Sequence, residues 1–147
     1  MDWFARRFIK ASLVWLCVAV VFGVAMAIHP AWTIYRTAHM HAALLGFVTM
    51  MIFGVAYHVL PRFSGSPLHS RSLAGWHWWM ANLGLGAMIV GFIVRVNTAV
   101  PGAVGATSLA IGGLLFAFGA FAFAWNIWRT MDGPPAVVVP STRRRVG

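Results

Sequence analysis

The stretch Ala38–Phe63, AHMHAALLGFVTMMIFGVAYHVLPRF, decides how the chain is read. It is apolar along most of its length, and His39 and His41 stand two residues apart at its head. Apolar runs longer than about 18 residues predict membrane-spanning helices. On an α-helix, residues i and i+2 project about 200° apart. Two imidazoles in that relation cannot bind one metal ion together. If both are ligands, they serve two centres on opposite faces of one helix.

The rest of the chain has the same character. Of its 147 residues 61% are hydrophobic and only 9% charged, where a soluble domain carries roughly a quarter charged. The only acidic residues, Asp2 and Asp132, lie outside the apolar runs. The net charge of +9 comes from Arg and Lys flanking those runs. That placement points to topology and contact with anionic membrane lipid, not to nucleic acid. The single cysteine, Cys17, excludes an intrachain disulfide and a CxxCH haem attachment.

The expected fold class is therefore all-α, an integral membrane four-helix bundle. Its single transmembrane domain covers 1–131, with helices over about 8–29, 34–60, 73–95 and 104–129. The start resembles a signal peptide, with Ala25-Met26-Ala27 as a passable cleavage site, but it is read as a retained first helix. Pro30 and Pro61 are expected to close the first and second helices. A basic tail, 132–147, carries Arg143, Arg144 and Arg145. Nine cations (Arg6, Arg7, Lys10, Arg62, Arg71, Arg129 and the three of the tail) fall on one side, and only Arg36 and Arg95 on the other. The positive-inside rule then makes both termini cytoplasmic.

Depth follows from the rise of about 1.5 Å per residue. Counted from Lys10 and Arg62, His29 and His41 each stand roughly 30 Å up, at one level. A haem held by one imidazole from each is geometrically possible. His77 lies roughly 25 Å below His41 and cannot share that iron within a subunit. His58 and His77 form a second, weaker candidate site toward the inner side. A polar or ionisable residue inside a span is costly and tends to be functional, and imidazole is a favoured ligand of haem iron. The small residues in line with His39 (Ala43, Gly46, Gly54) and with His77 (Ala81, Gly84, Gly91) would admit either a flat macrocycle or another helix.

An ordered set of residues now becomes informative: His39-Met40-His41, Gly46-Phe47, Met50, Phe53-Gly54, Tyr57, Pro61-Arg62 and Trp76-His77-Trp78-Trp79. It resembles a block of the haem–copper oxidase catalytic subunit, closest to the cbb-type oxidases and nitric oxide reductases. The resemblance implies that His39 faces a high-spin or open haem site and His41 a low-spin haem. The second ligand of that low-spin haem would be His29 or a histidine of another subunit. Arg36 and Arg95 become candidates to pair with the propionates. The family's copper-ligand histidines have no counterpart here, and no span carries Asp or Glu. The expectation is thus a truncated four-helix relative, a b-type cytochrome of the bacterial inner membrane. It would bind one or two haem b per subunit, or share haem between the subunits of a homo-oligomer. It would carry electrons from a respiratory-chain donor or bind a diatomic gas such as NO or O2, without copper and without proton pumping. The alternative is a non-catalytic assembly or interaction subunit of a respiratory complex.

Overall fold

The computed structural model of the chain describes residues 1–97 and 99–134. The expected basic tail lies outside the described residues from position 135 onward, as do Arg143, Arg144 and Arg145. Every regular element among the described residues is helical: α1 (Trp3–Ile28), a 3₁₀ turn (Pro30–Tyr35), α2 (Arg36–His41), a π-helical segment (Ala42–Thr49), α3 (Met50–Phe63), α4 (Arg71–Arg95) and α5 (Gly102–Met131). From Pro30 to Phe63 these run on as one span, so four helices are long and apolar enough to cross a membrane. Helices suit that solvent because each closes its own backbone hydrogen bonds.

α1 packs along the second span and α5 along α4, giving two antiparallel hairpins. Apolar burial does not drive helices together in lipid, so close van der Waals approach must. Glycines supply it. A Cβ on Gly46 would lie 2.6 Å from Trp15, and one on Gly54 would lie 3.0 Å from the Ala5 carbonyl oxygen. In the second hairpin, a Cβ on Gly84 would stand 2.7 Å from the Phe116 nitrogen, and one on Gly112 2.6 Å from the Gly84 carbonyl oxygen. Gly46, Gly54, Gly84 and Gly91 therefore serve helix–helix contact rather than the approach of a flat ligand.

The hairpins meet in an aromatic core at the end that holds the α1 and α4 N-termini. Phe4, Phe8 and Tyr57 are buried there with His77, and Phe53 and Phe123 complete the cluster. The same end is tied by side-chain bonds. Asp2 pairs with Arg71 at 2.7 Å. Asn126 accepts from the Ser70 N–H (2.9 Å) and donates to the Ser70 carbonyl (2.8 Å). The Thr130 hydroxyl accepts from the His69 N–H. Ser70 also caps α4, its hydroxyl accepting from the Leu73 N–H.

Three expected boundaries move. α1 starts at Trp3, five residues early, because Phe4, Ala5 and Phe8 are buried by the bundle while Arg6 and Arg7 stay on its exposed side. Pro61 does not stop its helix, which continues to Phe63. A proline removes only its own N–H, here the partner of the Tyr57 carbonyl, and it stands within a turn of the helix end. The Arg62 guanidinium donates to the His58 carbonyl nearby. Gly65 then turns the chain at φ 66°, a conformation open to glycine. Finally, the chain winds through a 3₁₀ turn before α2, which displaces the second span along the first.

Candidate functional site

α2 carries His39 and His41 on opposed sides, as their spacing requires. His39 faces α1. Its Nδ1 donates to the Ala19 carbonyl at 2.9 Å, and its Cε1 would be 3.4 Å from a Cβ on Gly23. Ala19 and Gly23, one turn apart, leave the room this ring fills. His41 faces α4. Its ring lies 4.6 Å from that of Phe92, and its Nδ1 donates to the Thr37 carbonyl at 2.9 Å. Both residues are half-buried.

These two bonds fix the chemistry of the rings. A carbonyl oxygen only accepts, so each Nδ1 must carry the proton, and each Nε2 keeps its lone pair. Neither Nε2 has a hydrogen-bond partner among the described residues, and neither is sealed inside the protein. This is the tautomer a metal-ligating histidine adopts, with its other nitrogen held by a carbonyl. The residues therefore fit axial ligation of haem iron, at two separate positions.

The other histidines differ. At His58 the Arg62 guanidinium donates to Nδ1 at 2.9 Å, so the lone pair there is taken and a cation stands beside it. His77 is fully buried, shares a hydrogen bond between its Nδ1 and the Tyr57 hydroxyl at 3.0 Å, and has its Nε2 enclosed without a partner. The expected inner pair is thus not formed: His58 lies on the surface with Arg62, while His77 lies among Phe8, Phe53 and Phe123. Adjacent helical positions such as Tyr57 and His58 project about 100° apart. The tyrosine, not the histidine, therefore meets His77. Among the described residues no three His, Cys, Asp or Glu side chains gather as a metal site.

His29 also departs from expectation. It is exposed beyond the end of α1, with its ring 5.8 Å from Trp32. Because Gly46 meets Trp15 and His39 meets Ala19 and Gly23, His41 is level with about residue 20 of α1. At 1.5 Å per residue that is about 14 Å below His29. The equal-level estimate failed because Lys10 is not level with Arg62: it stands seven residues inside α1, whereas Arg62 lies at the end of α3, eight residues beyond the Gly54 that meets Ala5 and Ile9. His29 and His41 of one subunit therefore do not face one iron. His77, by contrast, stands fifteen residues before Phe92 on α4, about 22 Å from the level of His41, close to expectation.

Arg36 opens α2 and Arg95 closes α4, both exposed and both at the far end from the aromatic core. Arg95 follows Phe92 by three residues, so it stands about one turn above the ring that His41 touches. The feature that sequence reasoning missed is the Tyr57–His77 pair in its cage. Its signal was the spacing of four between Phe4 and Phe8 and between Phe53 and Tyr57, which aligns aromatics on one face.

Comparison with known proteins agrees with this frame, although no family model matches the chain. It is 28% identical to the cbb3-type cytochrome c oxidase subunit CcoN1 of Stutzerimonas stutzeri, over 86% of this chain and 32% of that protein. It is 31% identical to cytochrome c oxidase subunit 1 of Rhodobacter capsulatus, over 75% of this chain and 25% of that one. A cryo-EM structure of a haem–copper terminal oxidase dimer has the same fold over 91% of this chain and 28% of its own, with a TM-score of 0.69 at 19% identity. The chain thus spans between a quarter and a third of the length of these relatives. With its four apolar helices and this ordered set of residues, it is a multi-pass bacterial membrane protein and a partial relative of the haem–copper oxidase catalytic subunit.

Proposed function

We propose that the chain is a b-type cytochrome of the bacterial inner membrane, with both termini in the cytoplasm. It holds haem b through His39 and His41, for electron transfer, for binding a diatomic gas such as NO or O2, or for both. The observation that carries this reading is the state of the two imidazoles. Each has Nδ1–H on a backbone carbonyl and a free Nε2 that is not sealed in the protein, whereas His58 accepts from Arg62 at Nδ1 and His77 has its Nε2 enclosed. Haem, when bound, supplies an iron that changes redox state or takes a gas molecule in an open position.

The protein's own contribution is orientation. The Ala19 carbonyl and the packing on Gly23 hold the His39 ring. The Thr37 carbonyl and Phe92 hold that of His41. Arg36 and Arg95 are assigned to the propionates. The half-exposure of both rings, and the level of His29, favour a second subunit as the source of the remaining axial ligand for His41. A homo-oligomer with haem at its interface follows, fed by a respiratory-chain electron donor. We assign neither copper chemistry nor proton pumping to these four spans, which carry no Asp or Glu and none of the family's copper-ligand histidines.

Spectra of protein purified from haem-replete cells test this. Soret and α bands are expected in the wild type. His41→Ala should remove the low-spin signature, and His29→Ala and His58→Ala should leave it. A carbon monoxide shift that disappears in His39→Ala would support an open iron on that side. Colourless wild-type protein would refute the cytochrome and leave an assembly or interaction subunit.

A further inference from the structure

The bundle end that carries the Asp2–Arg71 pair also holds a groove of about 590 Å³ between α1 and the first half of α4. Trp3, Gly75, Trp76, Trp79 and Leu83 form its walls, with Arg71 and Ser72 at its mouth. Gly75 keeps it open: a Cβ there would come within 3.1 Å of the Trp3 ring. Trp76, Trp79 and Leu83 are exposed, so the wall faces the surroundings of the bundle, which in a membrane are acyl chains. The mouth has a different chemistry. The Arg71 guanidinium is 67% exposed although paired with Asp2, and the Ser72 hydroxyl is unpaired among the described residues. The Arg7 guanidinium lies 5.0 Å from the centre of the Trp3 ring and 5.4 Å from that of Trp78. The Trp78 indole N–H is buried without a partner. Of the groups that line the groove, the polar ones are therefore the Arg71 cation and the Ser72 hydroxyl, and Asp2, the partner of Arg71, is the one anion beside them.

We infer that this groove is a binding site for one anionic phospholipid. Its phosphate sits against Arg71 and Ser72, and one acyl chain lies along Gly75, Trp79 and Leu83. Charge and shape select the occupant together. A cation at the start of a membrane helix lies at the headgroup level, where basic pockets between helices favour anionic lipids. Tryptophan rings suit the same depth. The apolar lining below Ser72, from Gly75 through Trp76 and Trp79 to Leu83, covers about two helical turns, so it accommodates part of a chain and not only a headgroup. Asp2 weakens the site by holding part of Arg71's charge. The site lies at the opposite end of the bundle from His39 and His41, and it does not depend on haem binding.

Native mass spectrometry of the detergent-solubilised full chain, titrated with phosphatidylglycerol or phosphatidylcholine of equal chain length, tests the assignment. One cation is worth about fivefold in binding at this depth, so phosphatidylglycerol should bind about fivefold more tightly. That preference should fall to about one in Arg71→Gln and rise in Asp2→Asn. It should be unchanged in Arg129→Gln, which removes a cation from the same end of the bundle but from α5. Quenching of tryptophan fluorescence by phosphatidylglycerol brominated on its acyl chains provides a second readout. It should exceed that by brominated phosphatidylcholine in the wild type but not in Arg71→Gln. Equal binding of the two lipids, or a preference that survives Arg71→Gln, overturns the site. Displacement of the lipid by millimolar inorganic phosphate overturns the role given to the acyl groove.

Discussion

Replacing Tyr57 by Phe should destabilise the bundle without touching the proposed haem sites. The hydroxyl is hydrogen-bonded to His77 Nδ1 at 3.0 Å, and Tyr57 and His77 are 1% and 0% exposed. Removing it leaves both ring nitrogens of His77 unpartnered, since Nε2 already has no partner. A buried polar group left unsatisfied costs about 1–3 kcal/mol. Hydrogen bonds between membrane helices average about 0.6 kcal/mol, with a maximum near 1.7. This pair is fully enclosed by Phe8, Phe53 and Phe123 and belongs at the upper end, so we expect a loss of about 1.5 kcal/mol. The double variant Tyr57→Phe/His77→Leu removes both partners of the bond and leaves no orphan, so it should be more stable than the sum of the two single variants by about 1 kcal/mol. Unfolding in mixed micelles, followed by circular dichroism, measures all four proteins. A Tyr57→Phe protein within ~0.3 kcal/mol of wild type, or strictly additive variants, would refute the reasoning. So would loss of the Soret band in Tyr57→Phe, because it would link the inner pair to the cofactor.

Two further variants probe the packing. Gly84→Val should separate α4 from α5, since even a Cβ would lie 2.7 Å from the Phe116 nitrogen; a cysteine cross-link placed between the two helices should form much more slowly. Gly86→Ala, on the same helix with nothing within 4 Å, should instead stabilise by about 0.5–1 kcal/mol in the same unfolding assay. Asn126→Ala should leave the Ser70 N–H without a partner and the Ser70 carbonyl with only the Ala74 N–H, and cost about 1–3 kcal/mol. Proteolysis within the segment from Ser64 to Ser70 should then accelerate at least tenfold, the effect of about 1.4 kcal/mol when cleavage tracks local opening.

How far the sequence could be read depended on what each feature needed. Helix number and type followed from apolar runs longer than the bilayer requires, and α4 and α5 were placed within about two residues at each end. The opposed directions of His39 and His41 followed from helical geometry alone. Their neighbours did not. That His39 fills the space over Ala19 and Gly23 depends on how two helices slide along each other, and a 3₁₀ turn over Pro30–Tyr35 set that register. The pairing of His29 with His41 failed because Lys10, taken as the boundary, stands seven residues inside α1. Pro61 signals a stop in general, but a proline within the last turn breaks too little of the ladder to end a helix. The eight-residue π-helical segment after His41 had no signal beyond its small and apolar composition. Of the glycines, pattern analysis identified the faces, and only the assembled bundle showed that other helices occupy them. His77 was legible as a polar residue in a span, yet its role as the centre of an aromatic core required residues from α1, α3, α4 and α5 at once.

The central claim is that His39 and His41 are two separate iron ligands on one helix. It is tested most directly by the haem-to-protein ratio, from the pyridine haemochrome spectrum, joined to low-temperature EPR of the same sample. The purified wild type should contain haem b with a bis-imidazole low-spin signal that His41→Ala abolishes. Any high-spin signal should be lost in His39→Ala while the low-spin signal remains. Protein without haem, or a low-spin signal that survives His41→Ala and vanishes in His77→Leu, would contradict the claim.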